Sequence, residues 1–124
     1  MNNPRSGKRL WTGAFFLLIS ISFLFSCLKH SSINDNPRVL IFSKTKGWKH
    51  TSIPFGIEAI QKLGKQHGFS VDTTKNAELF TDDNLKNYRA VIFLSTTGNI
   101  LNPEQQASFE RYIQAGGGYV GIHS

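Results

Sequence analysis

Four short apolar runs recur along the chain, each with the length of a β-strand. Val39–Ser43 and Ala90–Ser95 are nearly continuous apolar runs, which is typical of strands buried on both faces of a parallel sheet. Phe69–Thr73 alternates apolar and polar residues, and Tyr119–Ile122 is a short apolar segment. The pattern predicts four strands.

Two segments between these runs have helical spacing. The first extends from about Pro54 to His67, and Gly68 predicts its end. Its predicted apolar stripe comprises Ile57, Ile60 and Leu63, with Ala59 beside them. Between the second and third strands, Thr81–Leu85 predicts one short helical turn.

The second long helix carries a strong start signal. Asn102 is suited to cap it, Pro103 suits the first helical position, and Gln105 can reach back toward the cap. Gly116 predicts its end. Its predicted inward residues are Phe109, Tyr112 and Ile113, and its predicted solvated residues are Gln105, Gln106 and Glu110.

The alternation of strands and helices predicts an α/β fold, a doubly wound parallel sheet with right-handed crossovers. A complete domain of this kind continues into further helices and strands after the fourth strand. We therefore expect residues 38–124 to be the amino-terminal part of a larger domain, truncated after about four strands. The unpaired edge predicts that residues 29–124 alone are poorly stable.

The amino end has the layout of a secretory signal. A basic region with Arg5, Lys8 and Arg9 precedes Leu10–Leu28, which contains no charged residue. Residues 1–27 are predicted to be a lipoprotein-type signal peptide, and the polar residues 28–37 a tether.

Cys27, the only cysteine, ends a segment that resembles a bacterial lipobox, Leu24–Cys27, in which the cysteine is lipidated. Two alternatives remain: an uncleaved membrane anchor of nearly the ~20 apolar residues that span a bilayer, or a cysteine that is simply a small apolar residue. All three place the remaining chain outside the cytoplasm, anchored at the cell envelope.

The formal charge of +6 overstates how basic the domain is. Three of the fourteen basic residues lie in the leader and none of the eight acids do, which leaves +3 after Cys27. This modest charge, without an Arg-rich helix, does not favour nucleic-acid binding. The oligomeric state is left open.

Candidate chemistry lies where strands end, because the carboxyl ends of parallel strands form the ligand-binding edge of such sheets. Three loops should meet there: residues 44–52, residues 95–99, and His123 with the residue after it. The candidate catalytic residues are His50, His123 and Ser52. The candidate ligand-binding residues are Lys44, Gly47, Trp48, Thr96, Thr97, Gly98 and Asn99.

His50 and His123 are expected to face one pocket from different strands. Paired imidazoles can exchange protons near neutral pH, or hold a divalent metal together, although no third ligand is evident. Alternatively, His50 is a solvated loop residue and His123 a hydrogen-bonded turn residue. Trp48 is suited either to stack on a sugar ring or to pack against the protein.

Three ordered motifs carry a resemblance to the ThuA-like (trehalose utilisation) family. They are Phe42–Ile53, Leu94–Leu101 and Phe109–His123. The resemblance covers nearly everything from Arg38 to Ser124. It implies a flavodoxin-like sheet similar to that of class I glutamine amidotransferases, and a link to sugar metabolism.

The resemblance also bears on chemistry. In amidotransferases the segment similar to Gly121–His123 carries a nucleophilic cysteine, whereas here His123 occupies that place. Cysteine-based glutamine hydrolysis is therefore excluded, because no thiolate is present there to attack. Two functions remain open: an enzyme acting on a sugar or oxidised sugar through His50 and His123, and a non-catalytic sugar-binding or scaffolding lipoprotein. A third reading is a truncated fragment without activity of its own.

Overall fold

The structure is a computed structural model that describes residues 36–123. The predicted signal peptide, Cys27, most of the tether and Ser124 lie outside the described residues. Among residues 36–123, no helix is long and apolar enough to cross a bilayer.

The described chain contains four strands and three α-helices. The strands are β1 (Arg38–Phe42), β2 (Ser70–Thr74), β3 (Ala90–Leu94) and β4 (Gly118–Ile122). The helices are α1 (Ile53–His67), α2 (Asp82–Leu85) and α3 (Pro103–Gln114), and a 3-10 turn covers Ala77–Leu79. Each predicted element is present. The ends of the strands differ from the predicted ends by no more than one residue.

All strands pair in parallel, in the order β2-β1-β3-β4. In register, Phe42 lies beside Phe93, and Phe93 lies beside Gly121. The three strands therefore end at one edge of the sheet. This is the edge to which the candidate residues were assigned.

Helices cover both faces of the sheet, because successive strand residues point to opposite faces. On one face, Ile41 and Leu94 pack with Ile53 and Ile60 of α1. The other face packs against α2 and α3, in a cluster that includes Leu40, Phe42, Val91, Leu85 and Tyr112. The predicted doubly wound, flavodoxin-like α/β fold is thus confirmed.

The predicted stripe of α1 was wrong at its carboxyl-terminal end. Leu63 is 46% exposed, whereas Ile53 and Gly64 are buried. The buried face of α1 includes Gly64 because the helix lies very close to the following segment there. A Cβ at this position would lie 2.7 Å from the Phe69 carbonyl oxygen. The close approach at Gly64 leaves Leu63 turned partly to solvent.

Helix α3 confirms the predicted start and corrects two side chains. Asn102 and Gln105 form a reciprocal capping box, with Gln105 N–H donating to Asn102 Oδ1 at 2.8 Å. Gln105 is nevertheless buried rather than solvated, because its side chain also donates to Glu78 Oε1 at 3.3 Å. Ile113, predicted inward, is 38% exposed, while Tyr112 takes the buried position.

Candidate functional site

Two of the three candidate loops are joined at the carboxyl edge by Thr97. The Thr97 carbonyl accepts from Lys46 N–H at 2.8 Å. Its hydroxyl accepts from Gly47 N–H at 3.3 Å and donates to the Trp48 carbonyl at 3.0 Å. One residue thus fixes the backbone of three consecutive residues in the loop after β1.

The contact between the two loops is also close at Gly98. Its φ is 78°, and a Cβ there would lie 3.2 Å from Lys46 Cβ. A side chain would be strained by the left-handed backbone and crowded by the lysine. Glycine at this position therefore allows the two loops to touch.

Ser95, directly after β3, belongs to the same edge and was not among the candidate site residues. The register between β1 and β3 changes across it: Phe42 pairs with Phe93, but Thr45 bridges to Thr97, so one extra residue is accommodated on the β3 side. Ser95 is buried and has a positive φ of 49°. Bulges of this kind occur often beside active sites, and no sequence signal marks a serine that adopts this backbone.

The residues predicted for the first loop differ in exposure. His50 is half-buried and Ser52 is the residue that precedes α1. The Ser52 side chain makes no capping hydrogen bond. Lys44 is half-buried, and Trp48 is 75% exposed. Trp48 is therefore presented to solvent instead of packing in the core, the alternative considered from sequence.

His123 follows β4 and is exposed. The strand β3 lies between β1 and β4, so the strand ends that precede His50 and His123 are separated by about 10 Å, two strand spacings. The loop after β1 is drawn alongside the β3 loop through Thr97, and the Ser95 N–H donates to the Ile122 carbonyl at 2.9 Å. All three loops therefore belong to one connected edge, while direct contact between the imidazoles stays a prediction.

The other predicted residues of the second loop share this edge. Thr96 is half-buried and Asn99 is exposed. Within residues 36–123, no three histidine, cysteine, aspartate or glutamate side chains lie close enough together to hold a metal ion. A divalent metal held by His50 and His123 together stays a prediction.

A second polar arrangement lies at the opposite, amino edge. Arg38 donates to Asp72 Oδ2, which also accepts from the Tyr88 hydroxyl at 2.9 Å. Burial raises the pKa of Asp72, but the hydrogen bonds from Arg38 and Tyr88 outweigh it and leave the pKa below its ordinary value. Burial and the neighbouring Asp72 carboxylate raise the pKa of Tyr88.

A cavity of about 580 Å³ lies beside this network, lined by Arg38, Tyr88, Arg89 and their neighbours. It is remote from the strand ends at which doubly wound sheets bind ligands. None of its lining residues is among those predicted for the site. We therefore assign the candidate site to the carboxyl edge.

Comparison with known proteins agrees with this architecture. The family model described as "ThuA: Trehalose utilisation" matches residues 38–124. A crystal structure of a ThuA-like protein from Bacteroides uniformis ATCC 8492 is similar, with a TM-score of 0.58 and 28% sequence identity. The alignment covers 71% of this chain and 36% of that protein, so the chain spans about a third of its length. No curated protein matches the chain.

Proposed function

The chain belongs to the ThuA, or trehalose utilisation, family, and from this we propose that the carboxyl edge of its sheet forms part of a site for a sugar or a sugar-derived small molecule. In this proposal His50 and His123 supply acid–base chemistry. The protein is exported and held at the cell envelope through Cys27.

One observation carries the proposal: Thr97 joins the loops after β1 and β3 at the edge where β4 also ends. The joined loops carry a hydroxyl at Thr96 and an amide at Asn99, with an exposed indole at Trp48, while the Thr97 hydroxyl is used in the link itself. Such groups suit a polyol, because hydroxyls and amides both donate and accept hydrogen bonds. Aromatic side chains such as Trp48 supply large flat apolar surface.

The chemistry available at this edge is proton transfer. A neutral imidazole can accept a proton from a sugar hydroxyl, and an imidazolium can return one, since histidine titrates near neutral pH. His50 lies in the loop after β1 and His123 directly follows β4, so the two imidazoles come from the ends of different strands. No thiolate chemistry is available from the described residues, which contain no cysteine.

The exposure of Trp48 supports a second candidate, a binding protein without catalytic activity. An indole that is 75% exposed beside a fixed loop is suited to hold a ring whether or not a reaction follows. In that case the affinity for the ligand depends on Trp48 and the Thr96–Asn99 loop. Replacing both histidines then leaves this affinity unchanged.

The test compares His50→Ala, His123→Ala and Trp48→Ala in the full-length protein, with trehalose, glucose and their oxidised forms as probes. The enzyme proposal predicts that each histidine change lowers kcat by about 100-fold or more, with the circular dichroism spectrum unchanged. Loss of binding in Trp48→Ala alone would support the binding protein instead. His67→Ala, at the distant end of α1, is the matched control.

Turnover and binding that survive all three changes would reject a site at this edge.

A further inference from the structure

We infer that the ligand of the carboxyl edge carries a negative charge, a carboxylate or a phosphate, that is bound by Lys44, Lys46 and Lys49. This inference rests on the proposed function, because it names the chemical class of the molecule bound at the same site.

The loop after β1 concentrates positive charge without a compensating acid. Lys44, Lys46 and Lys49 lie within six residues, and no aspartate or glutamate occurs from residue 36 to residue 57 or from residue 95 to residue 101. The ion pairs that the described residues form lie elsewhere: Arg38 with Asp72, Lys86 with Asp83, and Arg111 with Asp82. The three loop lysines thus leave a local excess of positive charge.

The neighbouring loop after β2, residues 75–81, does not cancel this charge. It contains one acid, Glu78, and one lysine, Lys75. The Glu78 carboxylate accepts a hydrogen bond from Gln105 Nε2, and its backbone N–H donates to Asn76 Oδ1. Glu78 is therefore held toward the start of α3, in a segment whose own net charge is zero.

The middle of the loop that carries the lysines has a fixed backbone. The residues Lys46, Gly47 and Trp48 are each hydrogen-bonded to Thr97, and Lys46 meets Gly98. Lys44 is half-buried, whereas Lys46 and Lys49 are exposed. A fixed loop loses less conformational entropy when it binds an anion, which makes it a better binding element than three independent lysines.

The loops at residues 44–52 and 95–101 fit a sugar acid or a sugar phosphate, with the ring beside Trp48 and the anionic group on the lysines.

The experiment measures binding to the full 124-residue chain in detergent micelles by ligand-observed NMR. The probes are glucose, gluconate, glucose 6-phosphate and inorganic phosphate. The variant Lys44→Gln/Lys46→Gln/Lys49→Gln removes the loop charge. Lys62→Gln/Lys65→Gln/Lys86→Gln removes the same charge from exposed positions elsewhere and is the matched control.

We expect gluconate or glucose 6-phosphate to bind more tightly than glucose, with the preference showing which anion is used. The loop variant should weaken that binding by about tenfold or more, from three partly exposed charge contacts, and the control should not. Raising the salt concentration should weaken it in the wild type, since these charges are screened.

Two results overturn the inference while the proposed function stands: glucose binding as tightly as gluconate and glucose 6-phosphate, or equal affinities in the loop and control variants. If inorganic phosphate binds to the loop lysines as tightly as any of the sugar probes, the anion site is supported. The claim that the ligand is a sugar is then rejected. Binding of no probe rejects both.

Discussion

Thr97 is the residue on which the candidate site most depends. Its one hydroxyl is acceptor for Gly47 and donor to Trp48, while its carbonyl accepts from Lys46. Only the hydroxyl contacts depend on the side chain. They can therefore be removed without changing the backbone bridge between the two loops.

Replacing Thr97 with valine should loosen the loop after β1, because valine keeps the shape and removes both hydroxyl hydrogen bonds. We expect a loss of about 1 kcal/mol in the free energy of unfolding and faster hydrogen exchange at the Gly47 amide. Thr97→Ser keeps the hydroxyl and is the matched control. Exchange at Gly47 that is equal in both variants would show that the side chain does not hold the loop.

Residue-level features were predictable where the signal is local in sequence. The capping box of Asn102 and Gln105 follows from residues three apart and is confirmed. The burial of Gln105 was not predictable, because it depends on Glu78, which is distant along the chain. Ser95 could not be recognised either, since its positive φ comes from the register change between two strands.

Among elements, β1, β2 and the turn before β3 are joined by a charge network. Asp72 of β2 accepts from Arg38 of β1 and from Tyr88. Arg38 also lies over the Tyr88 ring, 5.0 Å from its centroid. Because Arg38 and Asp72 are 46% and 42% exposed, solvent weakens the pair, and its contribution should be about 1 kcal/mol or less.

The network predicts a specific dependence of stability on pH. The pKa of Asp72 is lower in the folded protein than its ordinary value of 3.8, so its contribution is present above about pH 4 and is lost as the pH falls through the folded pKa. Urea unfolding should therefore show Asp72→Asn destabilised by about 0.5–1 kcal/mol at pH 6, with the difference from wild type shrinking below pH 4.

Asp83→Asn is the control. Asp83 also forms an ion pair, with Lys86, but its side chain is 93% exposed. It should change stability little at any pH. A difference for Asp72→Asn that stays constant down to pH 2 would mean that the loss comes from packing and not from charge.

The order and type of the elements could be predicted because each has its own apolar period. Both β1 and β3 are buried on two faces, and their continuous apolar sequences indicate this directly. The face that α1 buries is harder to predict, since either Leu63 or Gly64 could lie on the buried side. Contact with Phe69 decides in favour of the glycine, and that contact exists only in three dimensions.

At the scale of the whole molecule, the fold was predictable and the site only in part. The motifs identified the family and placed the candidate residues at one edge. The separation of His50 from His123 depends on strand order, and β3 lies between their strands. Helical and strand periodicity carry no information on strand order, so the approach of the two imidazoles could not be derived from them.

Export and anchoring are predictions for the residues that precede the described part of the chain. If Cys27 is lipidated, cells grown with an alkyne-tagged fatty acid should label the wild-type protein, and Cys27→Ser should abolish the label. Ser26→Ala keeps the cysteine and should retain it. A wild-type protein that is found in membranes without label would favour the uncleaved anchor.

Strand β4 has a consequence for work with the described part of the chain. In β4, Tyr119, Val120 and Ile122 are 54%, 46% and 38% exposed, and the described sheet pairs β4 only with β3. If residues 36–123 are produced as a separate piece, that border offers amide and carbonyl groups beside exposed apolar side chains, to which another polypeptide can add a further strand. Concentrated solutions of this piece should therefore form multimers that grow by main-chain pairing, and a short soluble peptide that docks there would cap them.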